Sequence, residues 1–250
     1  MATRIRRAFD LPTVRRLQSF PDLFVLRSVA LDGGATVGVS AAAGLTTEIA
    51  LAGSATVALS VSAELTTEIQ LAASVTIGIT TSGDLTTGVQ VAGSTSIAIT
   101  ASADITTAIH AAGSAAIEIV SSGALSTGIP VDGATTINLS ASGNLTTGIP
   151  IGSATAIGVV AAAGLSTGID LDGDSSVSLS GSGSFTTGIQ LLGSVSTDIQ
   201  CEGSLTNEIQ LAGSATVSIG TAGGLTIPIE LGGTSTVSIE GSATLSTGIR

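Results

Sequence analysis

Residues 51–70 read LAGSATVALSVSAELTTEIQ, and residues 211–230 read LAGSATVSIGTAGGLTIPIE. The same twenty-residue phrase fills the chain from Leu31 to Arg250, eleven times, with no insertion or deletion. Self-similarity at a fixed period marks a chain that stacks one small unit many times. Within the phrase, numbered 1 to 20 from Leu31, the aliphatic residues keep to odd positions. Position 15 is Leu45, Leu65, Leu85, Ile105 and so on, with Phe185 its one aromatic, and position 19 is Ile or Val from Ile49 to Ile249. Positions 7 and 9 are β-branched or Leu in nearly every repeat, as in Val57 and Leu59. Alternation with period two in a stretch rich in Val, Ile and Thr predicts β-strands with the odd side chains inward.

Gly, Ala or Ser stands at positions 3 and 13, as at Gly53, Gly113, Gly83 and Gly143. Each twenty is therefore two strands, each ended by a tight corner where a small residue lets the backbone turn. Folded about position 13, facing positions sum to 26. The small position 11 then opposes the Leu of position 15, and the aliphatic position 9 opposes position 17, which is Thr in nine of eleven repeats. Small against large at each level lets a thin interior reach native packing density. An even sum excludes two-residue hairpins, which would turn the apolar faces of successive strands to opposite sides. The expected fold is all-β, a β-solenoid of eleven 20-residue coils with two short strands each. The alternative is an intertwined trimeric β-fibre, in which three chains share one core.

Composition narrows the function. Hydrophobic residues make up 43% of the chain and charged residues 10%, too apolar for a disordered tail. Trp and Tyr are absent, and three of the four Phe (Phe9, Phe20, Phe24) precede the array. No run approaches the roughly 18 apolar residues of a spanning helix, so no membrane span is expected. Residues 1–30 hold six of the seven cations and two of the eighteen anions, a net of +4, which leaves −15 on residues 31–250. A basic head on an acidic rod implies two parts with two tasks: an Arg-rich docking or capping segment at 1–30 and a β repeat array at 31–250.

In the head, Asp10-Leu11-Pro12-Thr13 resembles a helix start leading into Val14-Arg15-Arg16-Leu17, and residues 22–31 read as a strand entering the first coil. The longest uninterrupted apolar run there is Leu23–Leu26, shorter than a secretory signal requires, so synthesis in the cytoplasm is expected. The docking residues expected from charge and aromaticity are Arg4, Arg6, Arg7, Phe9, Arg15, Arg16, Phe20 and Phe24. Nucleic acid is not the expected partner, because the acidic array repels phosphate.

No catalytic constellation can be assembled, so an enzyme is not expected, nor a cofactor. His110, the sole histidine, takes outward position 20, and Cys201, the sole cysteine, takes position 11, where other repeats carry small residues. Asp170-Leu171-Asp172-Gly173-Asp174 is the one acidic knot; Asp170, Asp172 and Asp174 are a weak candidate for a cation, since the Gly and a closing Glu are not placed as a calcium loop needs. Position 16 is Thr or Ser throughout, from Thr46 to Ser246, yet position 18 is mixed (Glu48, Glu68, Gly88, Pro228), which weakens a reading as an ice-binding face.

The LTTGI and AGSATV phrases, repeated in a Gly-, Ser-, Thr- and Ala-rich array behind an unlike leader, resemble the fibre and spike proteins of tailed bacteriophages. The resemblance covers residues 31–250. It implies a viral structural protein, a fibre, collar or decoration component of the virion. Other virion proteins would then be its partners through residues 1–30, with self-association as a homotrimer, and cell lysis would release it. A bacterial surface or matrix solenoid acting as an adhesin is the alternative, and an ice- or carbohydrate-binding solenoid stands behind it.

Overall fold

A chain whose aliphatic side chains fall on alternate residues can bury them only against a second row of the same kind. In the computed structural model, which describes residues 15–16, 24–31, 34–72, 74–152, 155–241 and 245–249, that second row is the other half of the same repeat. Positions 5–11 form one strand and positions 15–21 the next, as in Ala55–Val61 and Leu65–Leu71. Successive copies stack in parallel at twenty-residue steps: Val57 pairs with Ile77, and Leu65 with Leu85. Two twelve-stranded parallel sheets result, one from each half of the repeat, and together they make a β-solenoid of about ten turns. At about 4.8 Å per coil the stack is roughly 50 Å long. The strands coil at twenty-residue steps along the chain, which is the expected β-solenoid rather than the alternative intertwined fibre.

Coiling explains how a parallel sheet comes to alternate. Parallel sheets are ordinarily covered on both faces and read as continuous apolar runs. Here one face meets its partner sheet and the other meets water, so Leu65–Leu71 alternates buried and exposed residue by residue. The inward set forms one continuous core from Val37 to Ile229. Fully burying a Val, Leu or Ile side chain stabilises by about 1.5–3 kcal/mol, and every coil contributes several.

The amide direction also alternates. Odd residues donate forward, as Leu45 N–H does to the Glu64 carbonyl at 3.0 Å. Even residues donate backward, as Ser62 N–H does to the Ala41 carbonyl at 3.0 Å. Each inner coil is thus bonded to both of its neighbours. Proline breaks single rungs, because it has no N–H to give. At Pro130 the strand shortens to Leu125–Gly128, and pairing resumes as an isolated bridge at Val131.

The corners carry their own ladder. Asp104 accepts the backbone N–H of Ala124 at 2.7 Å, Asp84 that of Asp104 at 3.2 Å, and Asn144 that of Gly164 at 3.0 Å. One coil's side chain thereby ties down the next coil's corner amide. Polar side chains at position 11 bond back in the same spirit: Thr81, Ser121 and Thr221 each donate to the corner carbonyl eighteen residues earlier.

The leader departs from expectation at one point. Arg15–Arg16 is not helical but a two-residue strand paired with Val37 and Gly38. An open sheet edge offers backbone partners at once, whereas a short helix must first meet its own nucleation cost. The rest of the expected helix lies outside the described residues. Phe24–Leu31 is a strand, as the sequence predicts, and joins the sheet beside Leu45–Leu51. Its pairing starts at an offset of twenty-one residues (Phe24 with Leu45) and settles to twenty at Val29 with Ile49. The array's register is set there.

Candidate functional site

The residue pattern offers two kinds of candidate site: the outward columns of the two sheets, and the leader. On the second sheet, position 16 projects outward as an exposed Thr/Ser ladder, including Thr66, Thr86, Thr106 and Thr146. Position 17 points inward, and Thr47, Thr67, Thr87 and Thr107 are buried. Position 18 passes from Glu48 and Glu68 through Gly88 and Ala108 to Gly128, Gly148, Gly168 and Gly188. A concavity of about 580 Å³ opens over the first four coils of this face, where Glu68, Gly88, Gln90 and His110 lie side by side. Gln70 donates to the Glu68 carboxylate at 3.1 Å. His110 is exposed, as expected for position 20.

On the first sheet, positions 6, 8 and 10 are hydroxyl, small and hydroxyl in the early coils: Thr36-x-Gly38-x-Ser40 and Thr56-x-Ala58-x-Ser60. A shallow groove of about 850 Å³ runs beside them, lined by Ser54, Thr56, Ser74, Thr76, Ser94 and Ser96. Val120 and Val160 stand exposed farther along, separated by Ser140, and Leu192 is about half exposed at a corner.

Of the expected docking residues, Arg4, Arg6, Arg7, Phe9 and Phe20 lie outside the described residues. Arg15 and Arg16 are brought to the edge of the first sheet, and Phe24 opens the strand on the edge of the second. Asp170 and Asp172 sit on alternate residues of the strand Leu165–Asp172 and Asp174 just past the corner glycine, all three exposed. Among the described residues, no group of three or more His, Cys, Asp and Glu is placed to hold a metal ion. Nor is any helix there long and apolar enough to cross a membrane.

Cys201 is buried, and its thiol donates to the Gly183 carbonyl at 3.2 Å and approaches that of Ser204 at 3.8 Å. Burial pushes its pKa up, the backbone hydrogen bonds of Gly203 and Phe185 oppose that, and the charge of Glu202 adds to it. It therefore stays a neutral thiol, the less reactive form.

Column reading of the sequence set the position-17 threonines inward, opposite position 9, and they are buried there; it did not anticipate that their hydroxyls go unbonded. Thr47 to Thr187 fill eight consecutive coils with side-chain oxygens that have no hydrogen-bond partner. No family model, curated protein or solved structure matches this chain.

Proposed function

We propose that the chain is a structural rod, a fibre, collar or decoration component of a bacteriophage virion, held to the particle by residues 1–30 and projecting the array outward. The observation that carries this reading is the unbroken twenty-residue register from Val29 to Ile229, joined to a leader of opposite charge. Such a stack resists bending because each inner coil bonds both neighbours through both sheets. Its surface carries hydroxyls and scattered acids, which keep a long particle soluble without assembling chemistry. The Arg-rich leader supplies what the rod lacks, a cationic segment that an acidic socket would recognise.

The test is to label material released from lysing producer cells with antibodies raised against the array. Label fixed at one place on phage particles, and lost when Arg4, Arg6 and Arg7 are changed to Ala, is the expected result. Label on the bacterial surface would instead favour the adhesin reading. Negative-stain images of the purified chain, with its mass measured in solution, give the rod's length and show whether it associates with itself.

A further inference from the structure

The interior is nearly uniform along its length, and one coil breaks the pattern twice. Position 7 is Val or Ile from Val37 to Val237 except at Thr197. Position 17 is Thr from Thr47 to Thr187, then Asn207, then Ile227. The two polar exceptions, Thr197 and Asn207, belong to the ninth coil, on its two opposite sheets, and Ile227 to the tenth. Asn207 is 1% exposed and Thr197 2%, and neither side chain has a hydrogen-bond partner: Oδ1 and Nδ2 of Asn207 and Oγ1 of Thr197 are all left bare. Directly beneath Asn207 in its column, Thr187 is 3% exposed and equally unpartnered. A further polar atom joins them. Even residues donate to the carbonyl twenty-one residues earlier, and for Asn207 that donor position is Pro228. Proline has no N–H. The pairing between the two strands is accordingly interrupted between Thr206–Thr226 and Ile209–Ile229.

We propose that the ninth coil encloses a binding site for a single water molecule, held between the Asn207 amide and the Thr197 hydroxyl with Thr187 as the third partner. Buried polar groups are rarely left bare, and an internal water making about three hydrogen bonds is the usual remedy. The chemistry matches water better than an ion. Asn207 supplies donors and an acceptor, both hydroxyls are ambivalent, and no charged side chain belongs to the buried set. Facing positions sum to 26, so Asn207 opposes Ile199, and Thr197 sits one alternate residue along the same strand. Asn207 and Thr197 are not hydrogen-bonded to each other, and a bridging water is what joins buried polar groups that do not bond directly. Elsewhere in the array the inward hydroxyls that stand one alternate residue from position 9 on the first sheet, such as Thr81 and Ser121, are already bonded to corner carbonyls. In the ninth coil the hydroxyl at that offset, Thr197, has no partner.

The experiment is a high-resolution crystal structure of the full chain, together with denaturation midpoints of Thr197→Val, Asn207→Ile and the double variant. Val and Ile already occupy these columns at Val217 and Ile227, so the replacements suit the fold. A solvent peak within hydrogen-bond distance of Asn207 and Thr197 is expected. Thr197→Val alone should lower the midpoint, because it strips a partner from the water. Adding Asn207→Ile should then raise it, a strongly non-additive pair. Thr107→Val serves as the control and should raise the midpoint by itself. A dry site, with Thr197→Val stabilising and the two changes additive, would overturn the proposal. So would a peak at metal-ligand distance.

Discussion

The Phe185 ring lies directly against the backbone of Gly181, so that a Cβ placed on Gly181 would stand 2.8 Å from the ring's Cζ. These two residues occupy positions 15 and 11 of the same coil, the pair that the column reading sets face to face. Phe185 is the one aromatic of its column, while Ala161 and Ala141 stand in Gly181's column one and two coils earlier. The largest residue of one strand has drawn the smallest residue of the other.

That pairing predicts a coupled response. Gly181→Ala alone should cost about 1–3 kcal/mol, because its Cβ would press on both the ring and the Ala161 carbonyl oxygen. Phe185→Leu alone should cost about 1 kcal/mol by leaving a void. The double variant restores the Ala–Leu pair of the preceding coil and relieves the ring contact but not the one with the Ala161 carbonyl oxygen, so it should recover part of the loss, a coupling measurable by chemical denaturation.

Glycines divide into two sets by what surrounds them. A Cβ on corner residue Gly183 would collide with the backbone of Ala163, whereas one on Gly88, Gly128 or Gly148 would meet nothing within 4 Å. Gly183→Ala should therefore destabilise by about 1–3 kcal/mol, the cost of forcing two corners apart. Gly88→Ala should be neutral or stabilise by about 0.5–1 kcal/mol, the conformational cost of glycine in a strand. Gly193 adds a second restriction, its φ of 144°. Thermal midpoints of the set separate the two classes.

The corner ladder makes a similar distinction between shape and charge. Asp104→Ala removes the acceptor for the Ala124 amide and should cost about 1 kcal/mol. Asp104→Asn keeps an oxygen in place, as Asn144 does for Gly164, and should recover much of that. Amide exchange at Ala124 should accelerate in the alanine variant and much less in the asparagine variant.

Cys201 provides a pH prediction with a definite sign. Its folded pKa is raised, so the unfolded chain loses the thiol proton first as pH climbs. The contribution to stability is complete below the ordinary thiol pKa of about 8.5 and is lost as pH rises past it toward the folded value. Stability should decline above that point in the natural chain and less so in Cys201→Ala, by equilibrium denaturation. Alkylation of the native thiol at neutral pH should be slow, and fast once denaturant is added.

Most of this fold was legible in the residues because the core recurs at odd positions in both halves of the repeat. The strands, corners and facing columns follow from that periodicity, and Gly181 with Phe185 bears out the facing rule. The leader was harder to read. Asp10-Leu11-Pro12-Thr13 carries local helix signals, yet Arg15–Arg16 pairs with an edge that exists only once the array has coiled. Local signals do not register such a tertiary opportunity. The ninth coil was illegible for another reason. Asn207 and Thr197 are each a minor change to a column, and they acquire meaning only when both are found bare inside the same turn.

Because each turn closes after twenty residues and bonds only to its neighbours, the rod's length is quantised. Loss or gain of one whole unit moves the far end by about 4.8 Å and leaves each remaining junction intact. A ten-residue change keeps the alternation but lays an LTT strand on an AGSATV strand, setting large residues against large. The chain is in this sense a ruler graduated in single turns, and a gene that slips by sixty nucleotides rewrites the measurement without rewriting the fold.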